Sequence, residues 1–527
     1  MIIKNKENSI INDHCTIVTA KQMQEIENRM FTEGMPVASL MEKAALLCSQ
    51  RIYQEYPLIQ STTVGFIIGS GHNGGDGLVI ARELFLKGYQ VKLYTPLANN
   101  SKDLTAQHLQ YARFLNIDFV TDIEGLINGD VIIDCLFGFG LNRQITNSLA
   151  HDIILLNQWQ KPVISIDIPS GIHTDTGEVL GVAVKAHLTL CLGLWKLGLF
   201  QSPAWEYTGK LEKIDLGIPD NLVKEVIHQS PLTQLITREK VKTVLPLPRA
   251  VNTHKYRQGN LLLICGSRQY AGAALFSAYG ANVSGVGMLT MIIPQSLQPL
   301  INSHIPSALV VATKETKTGV MDFTSLSDVD LSKYNTILFG MGITREKIPY
   351  LPLQEILTTS AILVIDADGF NYLTEDNLHI LSQRLAPTIL TPHEGEFKRL
   401  FPNINLNKNR LEGLQEAAKK INGTILLKGS KTMISHQGQY NWIIKEGTTA
   451  LARGGSGDVL SGFLGGLLAQ TDFIKHSIQD VVASAGWLHQ QGGILAVEDL
   501  TELGVDGITL AHYISQSIAI LIQNKIN

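Results

Sequence analysis

Three short stretches in the first half of the chain put carboxylates where they could move protons beside backbone amides. The earliest, GSGHNGGDG (Gly69 to Gly77), follows the apolar run TVGFII and precedes LVIARELFLKG. Its glycines let main-chain NH groups approach a ligand at the head of a helix, where anions are favoured. Within that turn stand a carboxamide, Asn73, and a carboxylate, Asp76. Asp134 in IIDCLFGFGLNR, and Asp167 with Ser170 in ISIDIPSG, end two further apolar runs. Any one such Asp equally serves to cap the next helix. Three of them on the carboxyl edge of an open α/β sheet form the rim where ligands of such sheets sit.

Gly69 to Gly74 also satisfies G-x-G-x-x-G, the fingerprint of a dinucleotide-binding βαβ unit. That fingerprint needs an acid about 20 residues on to hold the ribose hydroxyls. Residues 84 to 102 contain neither Asp nor Glu, so the check fails. A P-loop fails too, because no Lys-Ser/Thr pair follows the glycines.

The second half carries its own set. LARGGSGDVLSGFLGGLLAQ joins a glycine turn to a long apolar helical pattern. Gly455, Ser456 and Gly457 would present free amides as an anion hole, with Asp458 placed to take a proton from a substrate hydroxyl. The plain alternative is an Asp that complements the helix dipole. LLKGSKT puts Lys428 and Thr432 in a strand-to-turn context suited to nucleotide phosphates. ILTPHEGEF presents His393 and Glu396, and IDADGFNYL adds Asp366 and Asp368 at a strand end.

The elements that must position these groups read as an alternation. In the first half, Thr19 and Gln22 have capping-box spacing, and Met23, Ile26 and Met30 recur at helical intervals. The strands TVGFIIG, QVKLYTP, DVIIDCLFG, PVISIDIPSG and HLTLCLG then alternate with helical patterns. After a looser stretch come NLLLICGS, GMLTMIIP, TILFGMG, AILVIDAD, PTILTP, GTILLKG and a hairpin, TMISHQGQYNWIIKEG. Strands this apolar belong to parallel sheets covered on both faces. The expected architecture is α/β: two doubly wound three-layer α/β/α domains, the first Rossmann-like, over residues 1–228 and 229–527.

Composition bounds the rest. A chain of 527 residues with 45% apolar and 17% charged residues suits a folded protein of two or more domains. A formal charge of −4 gives no basic face for nucleic acid. Five scattered cysteines without a C-x-x-C pair disfavour a zinc site or a disulfide framework, and fit a reducing compartment. MIIKNKENSIINDH lacks the long apolar core of a signal peptide, so a cytoplasmic location is expected. Ala271 to Ser303 is free of charge but broken by Gly280, Asn282, Ser284, Gly285, Gly287 and Pro294. It predicts a buried helix and a buried strand, with no membrane partner.

GSGHNGGDGLVIAR, DCLFGFGLNR and SIDIPSGI, together with GMPVASLMEKAA, resemble the YjeF N-terminal family, epimerases that interconvert the two hydrates of NADH and NADPH. The resemblance runs from about Thr19 to Ile218. It implies a potassium ion held by Asn73, Asp134 and Ser170. It implies contacts to NADHX or NADPHX from His72, Asn73, Gly74, Gly75 and Asp76, and from Asp167. It also implies contacts from Gly138, Phe139, Gly140, Leu141, Asn142, Arg143 and Gln144. Asp167 is the residue expected to transfer the proton. Family members often carry Asn at the position of His72.

The glycine–Asp turn and its neighbours resemble ribokinase-like small-molecule kinases. HKYRQGNLLLICGSRQYAGAALFSA, GMGI, DADGFNYL, TPHEGEF, LKGSKT and GGSGDVLSG narrow the match to the YjeF C-terminal family, ADP- or ATP-dependent NAD(P)H-hydrate dehydratases. This resemblance covers about residues 235 to 525. It implies that Lys428, Gly429, Ser430, Lys431 and Thr432, with Gly455, Ser456 and Gly457, bind the adenine nucleotide. Ala273, Gly342, His393 and Asp458 would face the hydrate, with Asp458 catalytic. Nucleotide use would bring Mg2+, and a homo-oligomer is expected. The rival expectation is a kinase of a vitamin-like alcohol fused to a non-catalytic binding module.

Overall fold

Thr19 opens the first helix as its spacing predicts. Its hydroxyl accepts from the Gln22 amide at 3.2 Å, while the Gln22 side chain accepts from the Thr19 amide at 2.9 Å. The computed structural model describes residues 15–57, 62–228, 230–324, 329–344, 346, 353–407 and 409–523. The chain divides into two units, one ending at Ser230 and one starting at Pro231. Among the described residues no helix is long and apolar enough to cross a membrane.

The first unit starts with β1 (Ile17–Val18), α1 (Ala20–Thr32), which buries Met23, Ile26 and Met30, and α2 (Val37–Glu55). Its main sheet holds β2 (Thr63–Ile68), β3 (Gln90–Tyr94), β4 (Asp118–Val120), β5 (Val131–Cys135), β6 (Val163–Ile166), β7 (Leu188–Leu192) and, beyond β8 (Trp195–Lys196), β9 (Lys210–Ile214). The order is β4-β3-β2-β5-β6-β7-β9 with every pair parallel. The chain runs outward through β3 and β4 and then returns to place β5 beside β2. That reversal opens a crevice between the ends of β2 and β5, the place where open sheets bind ligands. β1 and β8 form a separate parallel pair, with Val18 opposite Lys196.

Among the described residues the second unit builds an 11-stranded sheet. Its strands are β10 (Leu232–Leu235), β11 (Asn260–Ile264), β12 (Met288–Pro294), β13 (Leu309–Glu315), β14 (Met321–Asp322), β15 (Thr336–Phe339), β16 (Ile362–Ile365), β17 (Thr388–Leu390), β18 (Thr424–Leu427), β19 (Met433–His436) and β20 (Tyr440–Ile443). The order is β10-β20-β19-β18-β17-β16-β15-β11-β12-β13-β14. The block from β18 through β17, β16, β15 and β11 to β13 is parallel, while β18–β19–β20 run antiparallel. Here the reversal lies between β11 and β15. The charge-free segment forms a helix, Ala271–Val283, and then β12, as its composition predicts. The helix Ser456–Gln470 packs on Ala271–Val283, and both contribute to one apolar core.

Candidate active sites

The glycine-rich turn after β2 is shorter than the sequence suggests. α3 (His72–Leu86) starts at His72 with Gly71 as its N-cap, so Asn73 and Asp76 lie inside the helix. The reason is packing: a Cβ on Gly77 would stand 2.5 Å from the Cys135 side chain. The helix thus lies closer to β5 than any side chain at that position allows, and the glycines serve this approach as well as any ligand.

Three of the expected residues converge at the crevice. A Cβ on Gly138 would lie 3.1 Å from Asp167 Oδ2 and 3.4 Å from Asn73, which places these groups side by side. Asp167, at the end of β6, holds φ +72°. That left-handed conformation is sparsely populated outside glycine and clusters at functional sites. Its Oδ2 accepts from the Phe139 amide at 3.0 Å, and its Oδ1 pairs with Lys196 Nζ at 2.6 Å. Lys196 is fully buried; burial opposes its charge, but Asp167, Cys191 and Glu27 outweigh this and raise its pKa. Asp76 is also buried, and burial, then Asp167 and Glu27, push its pKa well above the usual carboxylate range.

Asp134 behaves differently. Its two oxygens accept four hydrogen bonds: Ser170 Oγ at 2.6 Å, Ser170 N at 2.9 Å, Ser165 Oγ at 2.8 Å and Leu136 N at 3.2 Å. Ser170 Oγ in turn accepts from the Phe137 amide at 2.9 Å. Both ends of the Asn73 carboxamide, by contrast, are buried without a partner. Of the remaining loop residues, Leu141 packs on the core, while Gly140, Asn142, Arg143 and Gln144 are exposed on the rim.

In the second unit, Gly455 caps the helix Ser456–Gln470 and Asp458 lies in its first turn. A Cβ on Gly457 would be 3.4 Å from Lys428 Nζ, which brings the glycine turn and the end of β18 together. Lys428 Nζ binds Asp366 Oδ1 at 2.8 Å, and Asp366 Oδ2 accepts from Ser461 at 2.5 Å. Asp458 is half-buried; burial and then Asp366 raise its pKa to about 7, against the pull of Lys428. Across the reversal point, a Cβ on Gly342 would stand 2.8 Å from Ala273, so these two expected residues adjoin. His393 pairs with Lys428 in an isolated bridge, but its Nδ1 caps the helix Glu394–Leu400 by accepting from Gly395 and Glu396 amides. Its exposed side chain leaves Nε2 at 3.4 Å from Glu396. On the expected nucleotide loop, Gly429 and Ser430 are exposed, Thr432 bonds back to the Gly429 carbonyl, and Lys431 reaches the Lys445 carbonyl at 2.9 Å. Burial, then neighbouring Lys445, lower the Lys431 pKa to about 8.

Sequence reasoning missed several members. Lys196 had a signal: it is the lone charge in LTLCLGLWKLGLFQSPAW. Ser461, a hydroxyl inside an apolar helix, had a weaker one. Buried His489, whose Nε2 lies 2.9 Å from the Ser456 carbonyl, and Glu27 on α1 had none, since their neighbours are remote in sequence.

Comparison with known proteins agrees with this division. The family described as YjeF-related protein N-terminus matches residues 37–198, and the one described as NAD(P)H-hydrate dehydratase matches residues 261–518. A bifunctional NAD(P)H-hydrate repair enzyme of Synechocystis sp. is 48% identical, covering 94% of each chain. Its counterpart in Thermosynechococcus vestitus is 44% identical over 93% of this chain and 94% of that one. Among solved structures, the ADP/ATP-dependent NAD(P)H-hydrate dehydratase of Bacillus subtilis, co-crystallised with ATP and Mg2+, is 27% identical with a TM-score of 0.46. It covers 55% of this chain and 98% of that one.

Proposed function

The chain belongs to the bifunctional NAD(P)H-hydrate repair enzymes, and on that premise we propose how its residues divide the work. The first unit interconverts the R and S hydrates at Asp167, and the second dehydrates the S hydrate at Asp458 at the expense of ADP or ATP. The observation that carries the reading is the placement of Asp458: a carboxylate with a pKa of about 7 in the first turn of a glycine-capped helix. A general base is most effective when its pKa lies near the operating pH.

In the second unit, Asp458 accepts the proton of the ring hydroxyl as the hydroxyl oxygen attacks the terminal phosphorus of ATP or ADP, whose bond to the bridging oxygen breaks and releases ADP or AMP. The amides of Ser456 and Gly457 and the Lys428 ammonium take up charge on the moving phosphoryl group. The C–O bond then breaks to release phosphate while the neighbouring carbon loses a proton to solvent, and the C–H electron pair restores the double bond. Ala273, Gly342 and His393 line the hydrate side, and Lys428 to Thr432 hold the nucleotide. Mg2+ would accompany the phosphates, as is usual for this ion.

In the first unit, the loop Gly138 to Gln144 and the helix start His72 to Asp76 receive the dinucleotide, with Arg143 available to a phosphate. The donor set Asn73, Asp134 and Ser170 fits potassium in kind: oxygen ligands, one carboxylate and a buried carboxamide that lacks a partner. When bound, the ion would anchor the phosphate-bearing substrate electrostatically; Asn73, Asp134 and Ser170 would hold it. Five buried cysteines without a disulfide suit a reducing cytoplasm, where we place the enzyme.

The test is turnover of purified NADHX by the full chain with ADP or ATP. Formation of NADH with release of phosphate is expected. A stable phosphorylated product, or no consumption of the hydrate, would return the vitamin-like alcohol kinase to first place.

A further inference from the structure

The dehydratase mechanism leaves His489 unused, although it is buried against the glycine turn. It stands on the helix Ile478–Gly504, which close contacts seat on both sides of it. A Cβ on Gly486 would lie 2.8 Å from Ile444 Cδ1, one on Gly492 2.8 Å from Ile514 Cγ1 and one on Gly493 2.8 Å from Leu451 Cδ2. A helix packed this tightly gives its imidazole a fixed station. From there His489 Nε2 lies 2.9 Å from the Ser456 carbonyl oxygen and 3.2 Å from the Ser456 hydroxyl. A carbonyl only accepts, so the ring proton sits on Nε2. Burial lowers the His489 pKa to about 4, against the bond to Ser456 and with the help of Lys428, so near neutral pH the ring is uncharged.

The Ser456 carbonyl is one end of a planar trans peptide whose other end is the Gly457 N–H. In such a unit the C=O and N–H point in opposite directions, so fixing one aims the other. The Gly457 amide is among the first of the helix Ser456–Gln470, which find no partner inside the helix. It faces the expected phosphates: a Cβ on Gly457 would stand 3.4 Å from Lys428 Nζ. A donor on the carbonyl also draws electron density along the peptide and strengthens the N–H as a donor.

We propose that His489 is a positioning residue for phosphoryl transfer: by holding the Ser456 carbonyl it aims and polarises the Gly457 N–H that takes up charge on the moving phosphoryl group. This rests on the dehydratase reading above. His489 touches neither substrate; it acts through one peptide unit, from the side of the turn away from Lys428.

The experiment measures NADH formed from S-NADHX by the full chain as ATP is varied, for wild type, His489→Leu and His489→Gln. Leu removes the donor and keeps the space filled. Its kcat should fall about 10- to 100-fold, because the amide remains but is poorly aimed, whereas deleting an oxyanion donor outright costs about 10² to 10³. KM for ATP should rise far less, since the charge to be stabilised develops during transfer. Gln, whose amide nitrogen can take the place of Nε2, should recover most of the rate. In the wild type labelled with 15N-histidine, the resonances that His489→Gln deletes should be those of an Nε2–H tautomer. An Nδ1–H tautomer there overturns the assignment even if the Leu variant does not fold, because a bare Nε2 cannot donate to a carbonyl. A folded Leu variant with wild-type kcat overturns it too, as does a loss confined to KM or one that Gln fails to relieve, since His489 would then only fill space. A wild-type chain that makes no NADH from S-NADHX and ATP sinks the dehydratase reading itself, a different result.

Discussion

Asp458 and Lys428, the proposed base and phosphate partner, show how one buried carboxylate, Asp366, can tune two groups at once. It grips Lys428 at 2.8 Å and is itself fixed by Ser461 at 2.5 Å, so the ammonium is positioned by the same helix that carries Asp458. Its negative charge also raises the pKa of Asp458, second only to burial. Asp458→Asn should therefore cut dehydration by about 10² to 10⁴ without changing epimerisation, measured as NADH formation from S-NADHX. Because the base must be ionised, the wild-type rate should rise with pH through about 7 and level off above it. Asp366→Asn removes the charge that raises Asp458 and frees Lys428, which lowers it, so both effects move the acidic limb of the pH–rate profile to lower pH. A limb that stays in place, or moves upward, would show that Asp458 is not the titrating base.

At the scale of elements, the second site depends on how closely two helices cross. A Cβ on Gly462 would lie 1.9 Å from the Ser277 carbonyl oxygen, a backbone atom that cannot swing aside. Gly462→Ala should thus push apart Ser456–Gln470 and Ala271–Val283, which carry the glycine turn and Ala273. The expected cost is about 1 to 3 kcal/mol, the usual range for overpacking a tight core, read as a lower urea midpoint with dehydration impaired and epimerisation spared. These helices and most strands were legible because their neighbours are apolar on every side: β2, β5, β6, β11, β15 and β16 appear as buried runs rich in Val, Ile and Leu. The edge strands β4, β9 and β10, and β13 beside the edge strand β14, were not. β4 is a short DFV with no buried residue, β13 (LVVATKE) is largely exposed or half-buried, and β9 and β10 mix polar residues into their runs. Sites divide the same way. Glycines and strand-end acids announce themselves locally, whereas Glu27 and His489 acquire meaning only when the fold brings Lys196 or Ser456 to them. The start of α3 was misplaced for a related reason: glycines that read as a turn were there to let a helix approach β5.

For the whole molecule, the two units matter through the stereochemistry of their shared substrate. A dehydratase selective for the S hydrate leaves the R hydrate to accumulate, and only an epimerising site in series removes it. An equal mixture of R- and S-NADHX with excess ATP separates the contributions within one full-length chain. Wild type should convert the whole mixture to NADH. Asp167→Asn, which breaks the ion pair with Lys196 and removes the carboxylate from the crevice, should convert the S half and then stop. Asp458→Asn should form NADH about 10² to 10⁴ more slowly, yet should still carry pure R-NADHX to the mixed pool. The progress curves are diagnostic because the two losses differ in kind: one sets a plateau, the other slows the whole curve. If Asp167→Asn ran to completion, either the second unit would accept both hydrates or proton transfer in the first would need no carboxylate at that position. Chiral separation of the hydrate remaining at mid-course distinguishes these, since a second unit that takes both leaves R and S falling together, whereas an intact first unit holds them in a constant ratio even when the nucleotide is withdrawn and only interconversion continues.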